Sequence, residues 1–173
     1  MQHKLYFIEQ RRVASRNVEP GRICREASDR MALHAKDIVE KDFISLSPET
    51  SALEAAKRMA REGHGYVIVA NPGGDAIGIV TEWDFIAKIN SLARDAGMVH
   101  LQEIMSRELV SIDAGAGFDE VAQLMASKGI RRLLVMDKGR LVGVVTARRV
   151  IEKLNEYVTK ISTQIARLQS LPF

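Results

Sequence analysis

At two predicted strand-to-helix junctions, which we call corners, the sequence has side chains whose type and spacing could do chemistry. After the apolar run Gly78-Ile79-Val80, Thr81 is followed three residues later by Asp84, and 65 residues further on Thr146 is followed in the same way by Arg149. A Thr-x-x-Asp pattern predicts the start of a helix, whose free amides the two side chains bond. Aspartate also suits the positive end of the helix dipole, whereas arginine opposes it. Because a purely structural cap gives no reason for the arginine, the exchange indicates a pocket that binds an anion or is filled by its own guanidinium.

The two corners close two copies of one repeat. A shift of 66 residues places Gly63 on Gly129, and a shift of 65 then places Gly78 on Gly143. Each copy predicts a strand, a helix that ends at its glycine, two further strands and a closing helix. The predicted strands are 43–46, 66–70 and 76–80 in the first copy and 109–112, 132–136 and 140–145 in the second, and the closing helices begin at Glu82 and Ala147. We therefore predict an α/β (α+β) fold of two pseudo-symmetric β-α-β-β-α repeats packed sheet to sheet, with a long C-terminal helix.

The chain is expected to have four parts. These are an N-terminal extension at 1–35, the two repeats at 36–95 and 96–155, and a C-terminal helix extension at 156–173. A short helix is predicted from residue 22 within the N-terminal extension, and the role of that extension cannot be read from the sequence.

Apolar residues at helical spacing predict which helix faces are buried. In the first helix of each repeat they are Leu53, Ala56, Met59 and Ala60, and Val121, Leu124 and Met125. In the last helix they continue to the C-terminus as Val150, Leu154, Val158, Ile161, Ile165 and Leu168. This last stripe is expected to pack either on the N-terminal extension or on a second subunit, and the pattern leaves both open.

Composition and charge are those of a soluble globular protein, with 46% hydrophobic and 27% charged residues. The single cysteine, Cys24, allows no internal disulfide, and no apolar run is long enough to cross a membrane, so we expect a cytoplasmic protein. The net charge of +3 is uneven: +4 in residues 1–36, +3 in residues 147–173 and −4 between them. The basic ends could contact an anionic partner, but solvated helix faces are the favoured explanation.

The combined motifs resemble those of the CBS domain family. They are the Gly-apolar-apolar-Thr-x-x-Asp corner and the run Gly-Ile-Arg-Arg-Leu-Leu-Val-Met-Asp at 129–137, and the similarity covers residues 36–90 and 102–154. The resemblance implies a paired (Bateman) module that binds adenosine-type ligands in two clefts between the repeats: AMP, ADP or ATP, with S-adenosylmethionine and NAD as further possibilities. It also implies a regulatory protein rather than an enzyme, a homodimer, and a regulated partner protein whose identity stays open.

The resemblance assigns one cleft, the main site, residue by residue. Its implied residues are Ile79, Thr81, Asp84, Val110, Arg131 and Arg132. The carboxylate is expected to bond both ribose hydroxyls, with the threonine hydroxyl at the same rim. The isoleucine and the valine are expected to surround the base, the valine also through its backbone groups, and the arginine pair is expected to hold phosphate from across the cleft.

The mirrored second site departs from the family pattern. Its implied residues are Ile44, Tyr66, Val144, Thr146 and Arg149. The arginine replaces the aspartate that binds ribose, and Gly65-Tyr66 replaces the arginine pair. We therefore expect this degenerate site to bind weakly, to hold a different anion or to stay empty.

Other chemistry is not indicated by the sequence. The four histidines lack the spacing of metal ligands, Cys24 lacks the partners of a nucleophile, and Gly73-Gly74 belongs to a turn, so neither a metal nor a catalytic residue is predicted. Two rival functions remain: a nucleic-acid binder that uses the basic ends, and a protein-interaction module with vestigial clefts. The aromatic content of only 5% and the lack of a recognisable reading motif argue against the first, and stabilisation by a nucleotide would distinguish both from the main hypothesis.

Overall fold

Both repeats fold as a strand, a helix, two strands and a helix. The computed structural model describes residues 33–169; the chain to residue 32, with Cys24 and most of the short helix predicted from residue 22, lies outside the described residues. In chain order the elements are α1 (Ala35–Ile38), β1 (Ser45–Leu46), α2 (Ala52–Glu62), β2 (Tyr66–Ala70), β3 (Ala76–Thr81), α3 (Glu82–Lys88), a 3-10 turn (Asn90–Leu92), α4 (Leu101–Ile104), β4 (Ser111–Asp113), α5 (Phe118–Lys128), β5 (Arg132–Asp137), β6 (Arg140–Thr146) and α6 (Ala147–Gln169).

Each repeat contains one three-stranded sheet, ordered β1-β2-β3 and β4-β5-β6. In both sheets the first strand runs parallel to the second, and the third runs antiparallel to it. Apolar side chains from both sheets form one buried cluster, which contains Tyr66, Ile68, Leu134 and Val144. The predicted α/β fold of two repeats packed sheet to sheet is therefore confirmed.

The segment at the start of each repeat, ahead of its first strand, packs on the other repeat. Glu40 exchanges two backbone hydrogen bonds with Val144 on β6, and Ser106 exchanges two with Ile79 on β3. In the same way α1 contributes to the core of the second repeat, and α4 to the core of the first. The exchange fixes the position of one repeat against the other, and hence the walls of any cleft between them.

The buried face of α2 differs from the predicted one. Ala52, Ala55 and Met59 are buried, whereas Leu53 is 43% exposed and Ala60 is also exposed. The amides of Ala52 and Leu53 donate to the carbonyls of the segment that follows α3, which turns the first helical turn so that the small side chains lie against the core. The prediction for Leu53 was wrong because this contact, rather than side-chain size, sets the rotation of the helix.

Helix ends follow the predicted chemistry. Ser51 accepts a hydrogen bond from the Glu54 amide at 3.2 Å, and α2 and α5 end in left-handed glycines, Gly63 at φ 72° and Gly129 at φ 62°. A left-handed residue at this place satisfies the last helical carbonyls, and glycine adopts it without steric strain. These caps set where each closing pair of strands begins.

The C-terminal helix α6 is long and keeps exposed apolar side chains. Its 23 residues extend for about 34 Å at the usual rise per residue. Exposed along it are Ile151, Leu154, Val158 and Ile165. Between residues 33 and 169 no helix combines the length and the apolar character that a membrane span requires.

Candidate functional site

A cavity of about 360 Å³ lies between the two repeats, and we call it the main cleft. It is lined by all six residues of the predicted main site: Ile79, Thr81, Asp84, Val110, Arg131 and Arg132. The first three come from the end of β3 and the start of α3, and the other three come from the second repeat. The fold thus brings residues about 50 positions apart in the chain to one cavity.

Among residues 33–167, whose burial the structure describes, Asp84 is the only polar or charged residue that is buried, at 6% exposure. Its Oδ2 accepts hydrogen bonds from the Thr81 amide at 2.8 Å and from Thr81 Oγ1 at 2.9 Å. Its Oδ1 accepts from Lys88 Nζ at 2.7 Å. These bonds form the predicted helix cap and hold the carboxylate still at the edge of the cavity. Because two carboxylate oxygens offer about four acceptor positions, acceptor capacity remains for a ligand.

Lys88 acts behind the cleft rather than in it. Its ammonium bonds both Asp84 and the carbonyl of Ile104, the last residue of α4. The lysine therefore ties the carboxylate to the segment that leads into Ser106, which also lines the main cleft. The sequence analysis missed Lys88, although its position one helical turn after Asp84 could have indicated it.

One wall of the main cleft is apolar. Its members are Ile79, Leu109, Val110, Ile130 and Leu134. The Val110 carbonyl already accepts a hydrogen bond from the Leu134 amide at 3.0 Å, so it has one lone pair left for a ligand. A flat apolar slot beside a fixed carboxylate suits a molecule with an aromatic ring at one end and hydroxyl groups next to it.

The cationic side chains that line the main cleft differ in whether they are already hydrogen-bonded. Arg132 donates to the Gly65 carbonyl and to Glu82 Oε2, both at 2.8 Å, and its guanidinium lies 5.2 Å from the centre of the Tyr66 ring. Arg131 is exposed, and neither it nor Lys128 forms a side-chain hydrogen bond or ion pair within residues 33–169. Lys128, the last residue of α5, was not predicted. Two free cations and one paired cation thus face the cavity.

A second cavity, the second cleft, has a volume of about 530 Å³. It is lined by Glu40, Gly63, His64, Gly65, Tyr66, Glu82, Arg131, Arg132, Thr146, Ala147, Arg148 and Glu152. Of the five residues predicted for the second site, Tyr66 and Thr146 line this cavity. Ile44 and Val144 do not, because Ile44 is buried in the core of the first repeat and Val144 is buried between the two sheets. Arg149 does not line it either; its guanidinium pairs with Glu152, with Nη1 3.4 Å from Oε2.

The second cleft contains a carboxylate that the sequence analysis did not predict. Glu40 Oε1 accepts a hydrogen bond from Thr146 Oγ1 at 3.0 Å, much as Asp84 accepts from Thr81 in the main cleft. Here the acid comes from the start of the first repeat, ahead of β1, and not from the closing helix. Burial raises the pKa of Tyr66 to about 12, with a further contribution from Glu40, so the phenol beside this acid stays protonated.

The two clefts therefore differ in chemistry. The main cleft has an apolar slot, whereas the second cleft is lined almost entirely by polar and charged side chains. Within residues 33–169 no group of three or more His, Cys, Asp or Glu side chains could hold a metal ion.

Known proteins resemble this chain in sequence and in structure. The family profile "CBS domain" matches residues 35–91 and 101–156. The uncharacterized protein MK0525 of Methanopyrus kandleri is 32% identical over 134 residues, which are 77% of this chain and 68% of that protein. The family profile thus matches once in each repeat, and the alignment with MK0525 is longer than either repeat.

Two solved structures share the fold at higher than 25% identity. A protein with CBS domains from Burkholderia ambifaria, assigned to signal transduction, is 27% identical with a TM-score of 0.62, and the alignment covers 66% of this chain and 83% of that one. The CBS domain pair of the protein MJ0100, in complex with 5'-methylthioadenosine and S-adenosyl-L-methionine, is also 27% identical. Its TM-score is 0.63, and the alignment covers 72% of this chain and 98% of that one.

Proposed function

Because this chain belongs to the CBS domain family, we propose that it is a regulatory protein that binds an adenine nucleotide or a related adenosyl ligand in the main cleft. The observation that carries the proposal is the convergence of Asp84, the apolar slot and the free cations on one cavity. In this proposal the chain reports ligand binding to a partner protein and performs no reaction of its own.

Each part of the ligand has a matching part of the main cleft. The base fits between the apolar residues of β3 and the second repeat, where Ile79 and Val110 lie on the cavity wall. The ribose hydroxyls donate to Asp84, which is already oriented by Thr81 and Lys88. Phosphate oxygens, where present, lie near the three cations that line the cavity, Lys128, Arg131 and Arg132. The bound ligands of MJ0100 share the adenosyl group with AMP, ADP, ATP and NAD, and that common group is what this arrangement suits.

Titration is expected to show one tight nucleotide per chain. The main cleft has an apolar slot for the base, whereas the corresponding residues of the predicted second site, Ile44 and Val144, are buried and do not line the second cleft. Isothermal titration calorimetry with AMP, ADP, ATP, S-adenosylmethionine and NAD measures the stoichiometry. A thermal-shift series with the same ligands should give a rise of about 2.7 kcal/mol in unfolding free energy at a hundredfold excess over Kd.

Two equal sites per chain would contradict the proposed difference between the clefts. If none of the five ligands binds, an interaction module without a ligand becomes the better explanation. Binding of double-stranded DNA that weakens steeply with salt would instead support the nucleic-acid alternative.

We also propose that the chain forms a homodimer through its closing helices. Ile86 on α3 and Ile151 on α6 occupy matched positions 65 residues apart, and they are 51% and 60% exposed. Trp83, at 65% exposure, extends the same apolar surface on α3. A shared exposed position in both repeats suits a symmetric contact with a second copy.

Replacing Ile86 and Ile151 together by aspartate is expected to convert the dimer to a monomer, because charges would be buried at the contact. Light scattering after size-exclusion chromatography measures the mass. Lysine for Leu92, which is 63% exposed on the 3-10 turn outside both closing helices, serves as the control and should leave the mass unchanged. A dimer that survives the double substitution would place the contact elsewhere.

A further inference from the structure

Arg132 lies at the boundary of the two clefts and contributes to the lining of both. It belongs to the second repeat, yet its bonds go to the first repeat, to the Gly65 carbonyl and the Glu82 carboxylate at 2.8 Å each. The face of the Tyr66 ring lies 5.2 Å from its guanidinium carbon. Arg132 is thus held by three partners that line the second cleft. The family resemblance, in contrast, assigns Arg132 to phosphate binding in the main cleft.

The local backbone leaves room for this ion pair. A side chain at Gly65 would overlap the Glu82 carboxylate and lie only 2.8 Å from Arg132 Nη2. Glu82 opens α3 immediately after Thr81, so the same helix start presents one acid to each cleft, Asp84 to the main one and Glu82 to the second. The pairing is therefore built into the corner that carries the ligand-binding carboxylate.

We propose that Glu82 sets the ligand specificity of the main cleft by competing with ligand phosphate for Arg132. The inference rests on the proposed function, since it concerns the same cleft. A guanidinium that is paired with a carboxylate must leave it, or share its donors, to bond a phosphate oxygen. Glu82 thereby lowers the affinity for a nucleotide and leaves the affinity for a nucleoside unchanged. The ligand class favoured by the wild-type cleft is an adenosyl compound with little negative charge near Arg132.

The competition also connects the clefts. When phosphate draws Arg132 toward the main cleft, the Gly65 carbonyl, the Tyr66 ring and the Glu82 carboxylate lose their cation. The second cleft then gains a free acid opposite Glu40, so a nucleotide in the main cleft makes the second cleft more negative.

The test compares AMP with adenosine by isothermal titration calorimetry on the full chain. Glu82→Gln is expected to bind AMP roughly 3- to 5-fold more tightly, as release of a partly exposed ion pair predicts, with adenosine changed less than about 2-fold. Glu108→Gln is the control for removal of a negative charge alone, because Glu108 lies in the lining of the main cleft itself but does not pair with Arg132. In an Arg132→Met background, Glu82→Gln should give no gain for AMP.

The outcomes separate the inference from the proposed function. An equal gain for adenosine, an equal gain from Glu108→Gln, or a gain that persists with Arg132→Met would each overturn the role of Glu82 while adenosine still binds. If neither adenosine nor AMP binds the wild-type chain while another of the five ligands does, this inference fails alone. If adenosine and all five ligands fail to bind, the proposed function fails and this inference fails with it. Melting curves of the variants check the fold, and little change is expected because the Glu82 side chain is 57% exposed.

Discussion

Replacing Asp84 by asparagine is expected to weaken the binding of AMP-type ligands roughly 30- to 150-fold, a loss of about 2–3 kcal/mol. The substitution keeps the size of the side chain and one oxygen for Thr81, but it removes the negative charge that bonds Lys88. In the proposed function the same charge accepts hydrogen bonds from the ribose hydroxyls. Hydrogen bonds to a charged acceptor are stronger than those to a neutral one. Isothermal titration calorimetry of the wild type and of Asp84→Asn measures the loss.

Asp37 provides a matched control for the helix-cap role of Asp84. It occupies the same third position of a helix, in α1, and accepts from the His34 amide at 2.8 Å, as Asp84 accepts from the Thr81 amide. It does not line either cleft. Asp37→Asn should lower stability by roughly 1 kcal/mol or less, with ligand affinity unchanged. The loss should be smaller than for Asp84→Asn, because the Asp84 carboxylate is buried and also bonds Lys88. If both variants lose affinity equally, Asp84 would be a structural cap and not a ligand-binding group.

The fold could be predicted from the sequence because the chain contains two copies of the same structural unit. A single Thr-x-x-Asp corner is compatible with many helices, but two corners at matched distances from matched glycines indicate a duplicated unit. The pseudo-symmetry predicted that the two copies face each other, and the family resemblance then assigned Arg131 and Arg132 to the side of the cleft opposite Asp84. The convergence of the six residues on one cavity follows from that symmetry.

The remaining features depend on contacts between repeats, which a comparison of the copies does not contain. Glu40 aligns with Ser106, so nothing in the alignment indicates that its carboxylate reaches Thr146 from the exchanged segment. The pairing of Arg132 with Glu82 likewise depends on which rotamers two long side chains adopt 50 positions apart. The predicted burial of Leu53 was wrong for a related reason, since backbone hydrogen bonds to the segment that follows α3 set the rotation of its helix.

Gly78 and Gly143 stand at matched positions of the two repeats, but their surroundings differ. A methyl group at Gly78 would meet the side chain of Met105, which is flexible and can move aside. At Gly143 it would overlap the backbone carbonyl oxygen of Glu40, which is held by its hydrogen bond to Val144. Gly143 also has φ 156°, a conformation that other residues rarely adopt. The same substitution is therefore expected to have unequal effects.

Gly143→Ala is expected to destabilise the chain by about 2–3 kcal/mol, because the clash involves backbone that cannot relax and the conformation adds strain. In a chain of this size that loss lowers the Tm by roughly 5–10 °C, measured by calorimetry or circular dichroism. Gly78→Ala is the control and should cost about 1 kcal/mol or less. Because Glu40 carries the acid of the second cleft, the Gly143 variant should disturb that cleft and leave AMP binding at the main cleft within about 2-fold of wild type at temperatures well below its Tm. Equal destabilisation by the two substitutions would show that the segment around Glu40, ahead of β1, is not held against β6 as the structure has it.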